Sequence, residues 1–125
     1  MLARPARRKA AAERTARYAD MFAALGTGCR LQILRLLLSA HPGGMVVGEI
    51  QSELGIPAST LSHHLERLKA EGLATVRREG TFLHCSANTP ALEELLGFLF
   101  SECCSRSKAV SAAAVVKFCE IRPKR

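Results

Sequence analysis

The chain has 125 residues and a formal net charge of +7, the length of one domain with little room for a second. Its residues are 48% hydrophobic and 23% charged, a composition that excludes a disordered polyelectrolyte. No apolar run approaches the roughly 20 residues of a membrane helix, and no apolar stretch of signal-peptide length follows the basic N-terminus. The reading is therefore of a cytoplasmic protein without a membrane partner, whose five Cys are reduced thiols rather than a disulfide framework.

The charge is uneven. Residues 1–17 carry six Lys/Arg against one Glu, and residues 105–125 again six against one, whereas residues 45–86 carry four against five. This divides the chain into a basic N-terminal arm over 1–17, a central domain over 18–104 and a basic C-terminal tail over 105–125. A basic tail is commonly a solvated segment, so a nucleic-acid reading has to rest on where particular side chains fall.

Taken in order, residues 10–25 place Tyr18, Met21, Phe22 and Leu25 at helical spacing, and the helix breaks at Gly26 and Gly28. Residues 29–39 are dense in Leu and Ile, as befits a central, nearly surrounded helix. His41-Pro42-Gly43-Gly44 is a turn, and Met45-Val46-Val47 is a short strand or a lead-in to a helix. A short helix follows from Glu49 to Leu54 and stops at Gly55, where a left-handed cap favours glycine. A second helix occupies 58–71 and stops at Gly72. Two helices joined by a tight glycine-containing turn form a helix-turn-helix. Residues 73–77 and 81–85 read as strands flanking Arg78-Glu79-Gly80, a β-hairpin with Gly80 at the positive-φ position. Pro90 opens a last helix through about Cys104. Val110 to Phe118 reads either as a short helix or as frayed chain.

On a helical wheel, Leu61, Leu65 and Leu68 define the buried direction of 58–71. Ser59, His63, Glu66, Arg67 and Ala70 then point outward, with Ser62 on one flank and Thr60 and His64 on the other. Small hydroxyls and a histidine near a helix N-terminus suit a DNA major groove, and Arg67 suits a phosphate farther along. Arg77 and Arg78, placed at the hairpin tip, suit the DNA backbone or minor groove. His64 lies toward the core and reads as structural. The adjacent histidines do not read as a zinc site, because neighbours on a helix point about 100° apart and no further ligand has zinc-finger spacing.

Three stretches, "MFAALGTGCRLQILRLL", "VGEIQSELGIPASTLSHHLERLKAEGLATVRREGTFLHCSAN" and "LLGFLFSECC", together resemble the bacterial ArsR/SmtB family of arsenic- and metal-responsive repressors over about residues 20–104. The resemblance implies a mainly α fold with a small β-hairpin wing, a winged helix-turn-helix dimerised through its first and last helices. It also implies operator DNA of two-fold symmetry and repression relieved by an inducer. Independently, the apolar faces of 16–25 and 92–103 exceed what a monomer of this size readily covers.

Within that family one sensing class uses a Cys-x-Cys pair in the first helix of the helix-turn-helix, which here has no Cys. Another uses His and carboxylates on the last helices, where this chain has Glu but no Asp or His. What remains is Cys103-Cys104, a soft pair suited to trivalent arsenic or antimony. Arsenite would prefer a third thiol, and Cys119 is the candidate; methylarsenite needs only two. Thiol oxidation of the same fold is the alternative switch. An enzyme is disfavoured, since neither Cys-x-x-Cys nor a cysteine in a phosphate-cradling loop is present.

Overall fold

The computed structural model describes the backbone of residues 4–106 and 111–121, with side chains described except at 102–106, 112 and 118–121. It comprises α1 (Arg4–Leu25), α2 (Gly28–Ser39), β1 (Met45–Val46), α3 (Val47–Leu54), α4 (Ala58–Ala70), β2 (Ala74–Glu79), β3 (Phe82–Ala87), α5 (Thr89–Arg106) and α6 (Ala112–Ile121). The fold is a winged helix-turn-helix, mainly helical with one small antiparallel sheet in the order β1-β3-β2. Two compact units are formed, Met1–Leu92 and Glu93–Arg125. Among the described residues no single helix is long and apolar enough to cross a membrane.

In the first unit, Tyr18, Met21 and Ala24 of α1 are buried together with Ile33, Leu34 and Leu37 of α2, Ile50 of α3 and the Leu61-Leu65-Leu68 stripe of α4. Leu73, Ala74, Cys85 and Ala87 complete this core from the sheet side. The stripe predicted for α4 is therefore the one the fold uses. Its 3.6-residue period leaves the opposite face to solvent.

Helix ends follow their local chemistry. Thr27 caps α2 by accepting from the Arg30 N–H at 3.3 Å, and Glu49 reaches back to accept from the Val46 N–H at 3.3 Å. α4 closes with two reverse hydrogen bonds, Gly72 N–H to Lys69 O at 3.0 Å and Leu73 N–H to Leu68 O at 2.9 Å. That arrangement requires a left-handed residue, and Gly72 supplies it at φ 72°. It also aims the chain from the helix into β2, with Leu73 and Leu68 both buried.

The sheet pairs Ala74 with Ala87 through Glu79 with Phe82, and Met45 with Cys85. Asn88 closes its base: its N–H reaches Leu73 O at 2.9 Å and its Nδ2 donates to Gly72 O at 2.7 Å. At Gly44, φ is 80° and a side chain would collide with the Cys85 carbonyl oxygen, so only glycine lets β1 lie against β3 there.

Some boundaries differ from those expected of the sequence. α1 begins at Arg4 rather than at residue 10, because the Ala-rich, Arg-rich segment has strong helix propensity without an apolar period to reveal it. The hairpin strands run on to Glu79 and begin again at Phe82, leaving a Gly80-Thr81 turn one residue tighter than expected. The expected short strand or helix lead-in at Met45-Val46-Val47 is both: Met45–Val46 is a third strand and Val47 opens α3. Of the two possibilities for the C-terminal segment the helical one holds, as α6; residues 107–110 and 122–125 lie outside the described residues.

Candidate nucleic-acid interface

The outward face of α4 is built from the residues the wheel selects. Ser59, Thr60, Ser62, His63, Glu66 and Arg67 are all exposed, opposite buried Leu61, Leu65 and Leu68. The N-cap is Pro57, and no side chain caps the helix. The first-turn N–H groups therefore stay open toward any anion brought to that end, and the hydroxyls of Ser59, Thr60 and Ser62 are not used as caps.

His63 and His64 diverge as adjacent helical residues must. Their ring centroids are 6.0 Å apart and their planes tilted by 54°. His63 is exposed and His64 half-buried. His64 Nδ1 lies 3.4 Å from Arg30 Nη1. Arg30 Nε in turn donates to the Ala24 carbonyl at 2.5 Å, in the last turn of α1. Burial, then the Arg30 charge, then His63, hold the His64 pKa below its usual value, so the ring is a neutral acceptor toward the guanidinium. Arg30 thus ties the end of α1 to the exposed-face helix. Sequence periodicity offers no signal for this brace, because its partners lie 6 and 34 residues away.

The wing corrects the placement of its arginines. Arg77 and Arg78 do not occupy the tip. They lie within β2, opposite His84 and Leu83, and the tip is Gly80-Thr81. Alternation then sends the two arginines to opposite faces. The Arg77 guanidinium grips Glu79 Oε1 through Nε and Nη2, each at 2.8 Å, and His84 Nε2 approaches Glu79 Oε2 at 3.4 Å. Arg78 has no ion pair among the described residues and is exposed. Phe82, beside the tip, is 60% exposed, and strand periodicity alone assigns it no role. With Val46, Gly48, Glu49, Ser52 and Glu53 it lines an open cleft between α3 and the wing, whose two carboxylates would repel phosphate.

The thiols separate into two groups. Cys85 is fully buried in β3, and burial pushes its pKa up to about 11; Cys29 is half-buried near the start of α2. Cys103 and Cys104 belong to α5 and Cys119 to α6, but their side chains lie outside the described residues. Among the described residues no three His, Cys, Asp or Glu side chains gather as a metal site.

Comparison with known proteins agrees with this geometry. Residues 25–77 match the family of helix-turn-helix domains. An uncharacterised HTH-type transcriptional regulator of Methanocaldococcus jannaschii is 44% identical over 70 residues, covering 56% of this chain and 76% of the relative. The solution structure of a homodimeric winged helix-turn-helix DNA-binding domain from Mycobacterium bovis, described as a possible ArsR-family regulator, is 32% identical. It superposes with a TM-score of 0.58, covering 83% of this chain and 94% of that one. Reduced HlyU from Vibrio cholerae is 27% identical with a TM-score of 0.61, over 78% of this chain and 99% of that one.

Proposed function

The chain belongs to the helix-turn-helix transcriptional regulators, and we propose that it is a cytoplasmic, homodimeric, non-enzymatic repressor whose grip on operator DNA is released by a trivalent arsenical. The observation that carries the DNA-binding part is the uncapped, exposed face of α4, where Ser59, Thr60, Ser62 and His63 can meet base edges and Arg67 a phosphate. Arg78 supplies a wing cation with no carboxylate partner among the described residues, and Arg77 joins it only by exchanging Glu79 for a phosphate.

Dimerisation is supported by exposed apolar side chains on the two helices assigned to the seam: Phe22 on α1, and Leu96 and Leu99 on α5, 38%, 46% and 50% exposed. The Mycobacterium bovis neighbour is itself a homodimer. An isologous dimer presents two α4 helices to half-sites about one helical turn apart, or a multiple of it, in a two-fold symmetric operator.

The inducer reading rests on the donor set. Cys103, Cys104 and Cys119 are soft thiols suited to trivalent arsenic or antimony. With arsenite each thiol replaces one hydroxide of As(OH)3, its proton leaving with that hydroxide as water, so three thiols saturate the metalloid. Methylarsenite keeps its carbon–arsenic bond and takes two. A shift of the dimer seam coupled to operator affinity by about 1–3 kcal/mol makes a useful switch. A second reading, release by thiol oxidation, is favoured by one observation: HlyU, a similar structure, was solved in a form named as reduced.

The test is anisotropy of labelled DNA from upstream of the protein's own gene, bound by reduced protein and titrated with arsenite, methylarsenite or peroxide. Release by arsenite that is abolished in Cys119→Ser supports a three-thiol site. Release by methylarsenite alone assigns Cys103 and Cys104 as sufficient. Release by peroxide alone moves the switch to oxidation, and no binding at low salt removes the DNA reading.

A further inference from the structure

We infer that the N-terminal half of α1 is a second DNA-binding surface, a helical cationic rod that lies along the phosphate backbone outside the groove read by α4. The inference rests on the DNA-binding reading above and extends it to residues that reading leaves idle.

Residues 4–17 form one continuous helix and every one of them is exposed. They include Arg4, Arg7, Arg8, Lys9, Arg14 and Arg17 against the single acid Glu13. At 1.5 Å per residue the rod is about 20 Å long. No ion pair with an acidic side chain is found for Arg4, Arg7, Arg8, Lys9 or Arg14 among the described residues.

The arrangement is unfavourable for the free helix. Arg4 stands i, i+3 and i, i+4 from Arg7 and Arg8, a spacing at which like charges repel. They sit in the first turns, where the helix dipole is already positive and no acidic residue offsets it. A polyanion relieves both penalties.

The composition selects which polyanion. Between Arg4 and Arg17 the only apolar side chains are Ala and Pro5. A helix lying on an anionic membrane needs Leu, Phe or Trp on one face, and a hot spot for a protein partner needs comparable anchors. Phosphate contacts need only charge and reach. The rod is also mechanically coupled to the DNA-reading helix, because the Arg30 side chain holds both the last turn of α1 and His64 of α4. α1 therefore leaves the vicinity of α4 as a rigid element, and its cations are carried at a defined position.

The experiment compares the full chain with the full-length combined variant R4Q/R7Q/R8Q/K9Q. Gln has nearly the helix propensity of Arg and Lys, and a circular-dichroism melt confirms that the fold is kept. The dependence of log K on log salt is measured on the upstream duplex and on an unrelated duplex of equal length. The expected result is a slope shallower by about 0.9 for each phosphate no longer neutralised, about 2 to 4 per protomer, equal on both duplexes. Ethylation interference should show phosphates that matter to the full chain and no longer matter to the variant. An unchanged slope overturns the inference while leaving α4 as the DNA-reading helix. An unchanged slope with an altered oligomeric state overturns it in favour of a protein interface, and with weakened adsorption to anionic vesicles in favour of a membrane surface. Failure of the intact chain to bind either duplex sinks the DNA-binding reading itself, and this inference with it.

Discussion

Arg30 Nη1 and His64 Nδ1 lie 3.4 Å apart across the packing of α2 against α4, and the contact works only while the imidazole is neutral. Protonation removes the lone pair that the guanidinium addresses and sets two cations against each other. The position of the exposed-face helix is thereby coupled to a group whose protonation in the folded chain is pushed below the usual histidine range, first by burial and then by Arg30 and His63.

Stability should consequently fall in acid through this residue. The folded-state pKa of His64 is lowered from the usual 6.5, first by burial and then by Arg30 and His63. Well above 6.5 both folded and unfolded chains carry the neutral ring and no difference arises. As pH drops below 6.5 the unfolded chain takes up the proton first, and the penalty grows until the folded ring also protonates. Urea midpoints at pH 7.5 and 5.5 should differ more in the parent chain than in His64→Asn, which keeps an acceptor but does not titrate. Arg30→Met at pH 7.5 should lose about 1 kcal/mol, from the Ala24 carbonyl bond of a partly exposed cation. Equal pH dependence in parent and His64→Asn would remove His64 as the source.

The two wing arginines should not be equivalent. Arg77 is held by Glu79 in an exposed pair, worth at most about 1 kcal/mol, whereas Arg78 has no ion pair among the described residues and lies on the opposite face. Arg78→Ala should therefore weaken DNA binding more than Arg77→Ala, lowering the salt slope by about 0.9. Glu79→Gln should strengthen binding, because it frees Arg77 and removes a negative charge from the wing. Anisotropy titrations of the three variants across a salt series decide this; a larger effect in Arg77→Ala would show that the Glu79 pair opens on DNA.

Cys85 should be silent toward alkylating reagents in the folded protein. It is fully buried, and with a pKa of about 11 only about one part in a thousand is thiolate at pH 8. Iodoacetamide labelling followed by peptide mapping should leave Cys85 unmodified until urea unfolds the chain. Rapid labelling under native conditions would mean that β3 opens locally. Cys85→Ser should cost about 1–3 kcal/mol, since it buries a hydroxyl where no partner was provided.

Features that depend on near neighbours in the chain are legible without the fold. The Leu61-Leu65-Leu68 stripe, the outward Ser59, His63 and Arg67, the stops at Gly55 and Gly72 and the positive-φ Gly80 all follow from spacing and from glycine's freedom, and each stands in the structure. Period 3.6 and period 2 are properties of neighbouring residues, so sequence alone carries them. The start of α1 escapes such reasoning because its first turns bury nothing and so have no period to display.

The sequence by itself determined the helix-turn-helix, the β-hairpin and the outward face of α4, because those depend on local periodicity and turn chemistry. Only the tertiary structure decided which charges beside that face are available. Arg77 and Arg78 are indistinguishable as neighbours in the chain, yet strand alternation brings a carboxylate to one and none of the described carboxylates to the other. Cys85 and Cys29 are the same residue type, yet only Cys85 is sealed under β1, β2 and the core. Arg30 reads as one more helix cation until folding places it between Ala24 and His64. The burial of Cys85 and the lowered pKa of His64 are set by residues tens of positions away, Met45 and Arg30 among them, that only the closed chain brings within a few ångströms, and at that range a partner or a desolvated wall outweighs any intrinsic preference of the side chain.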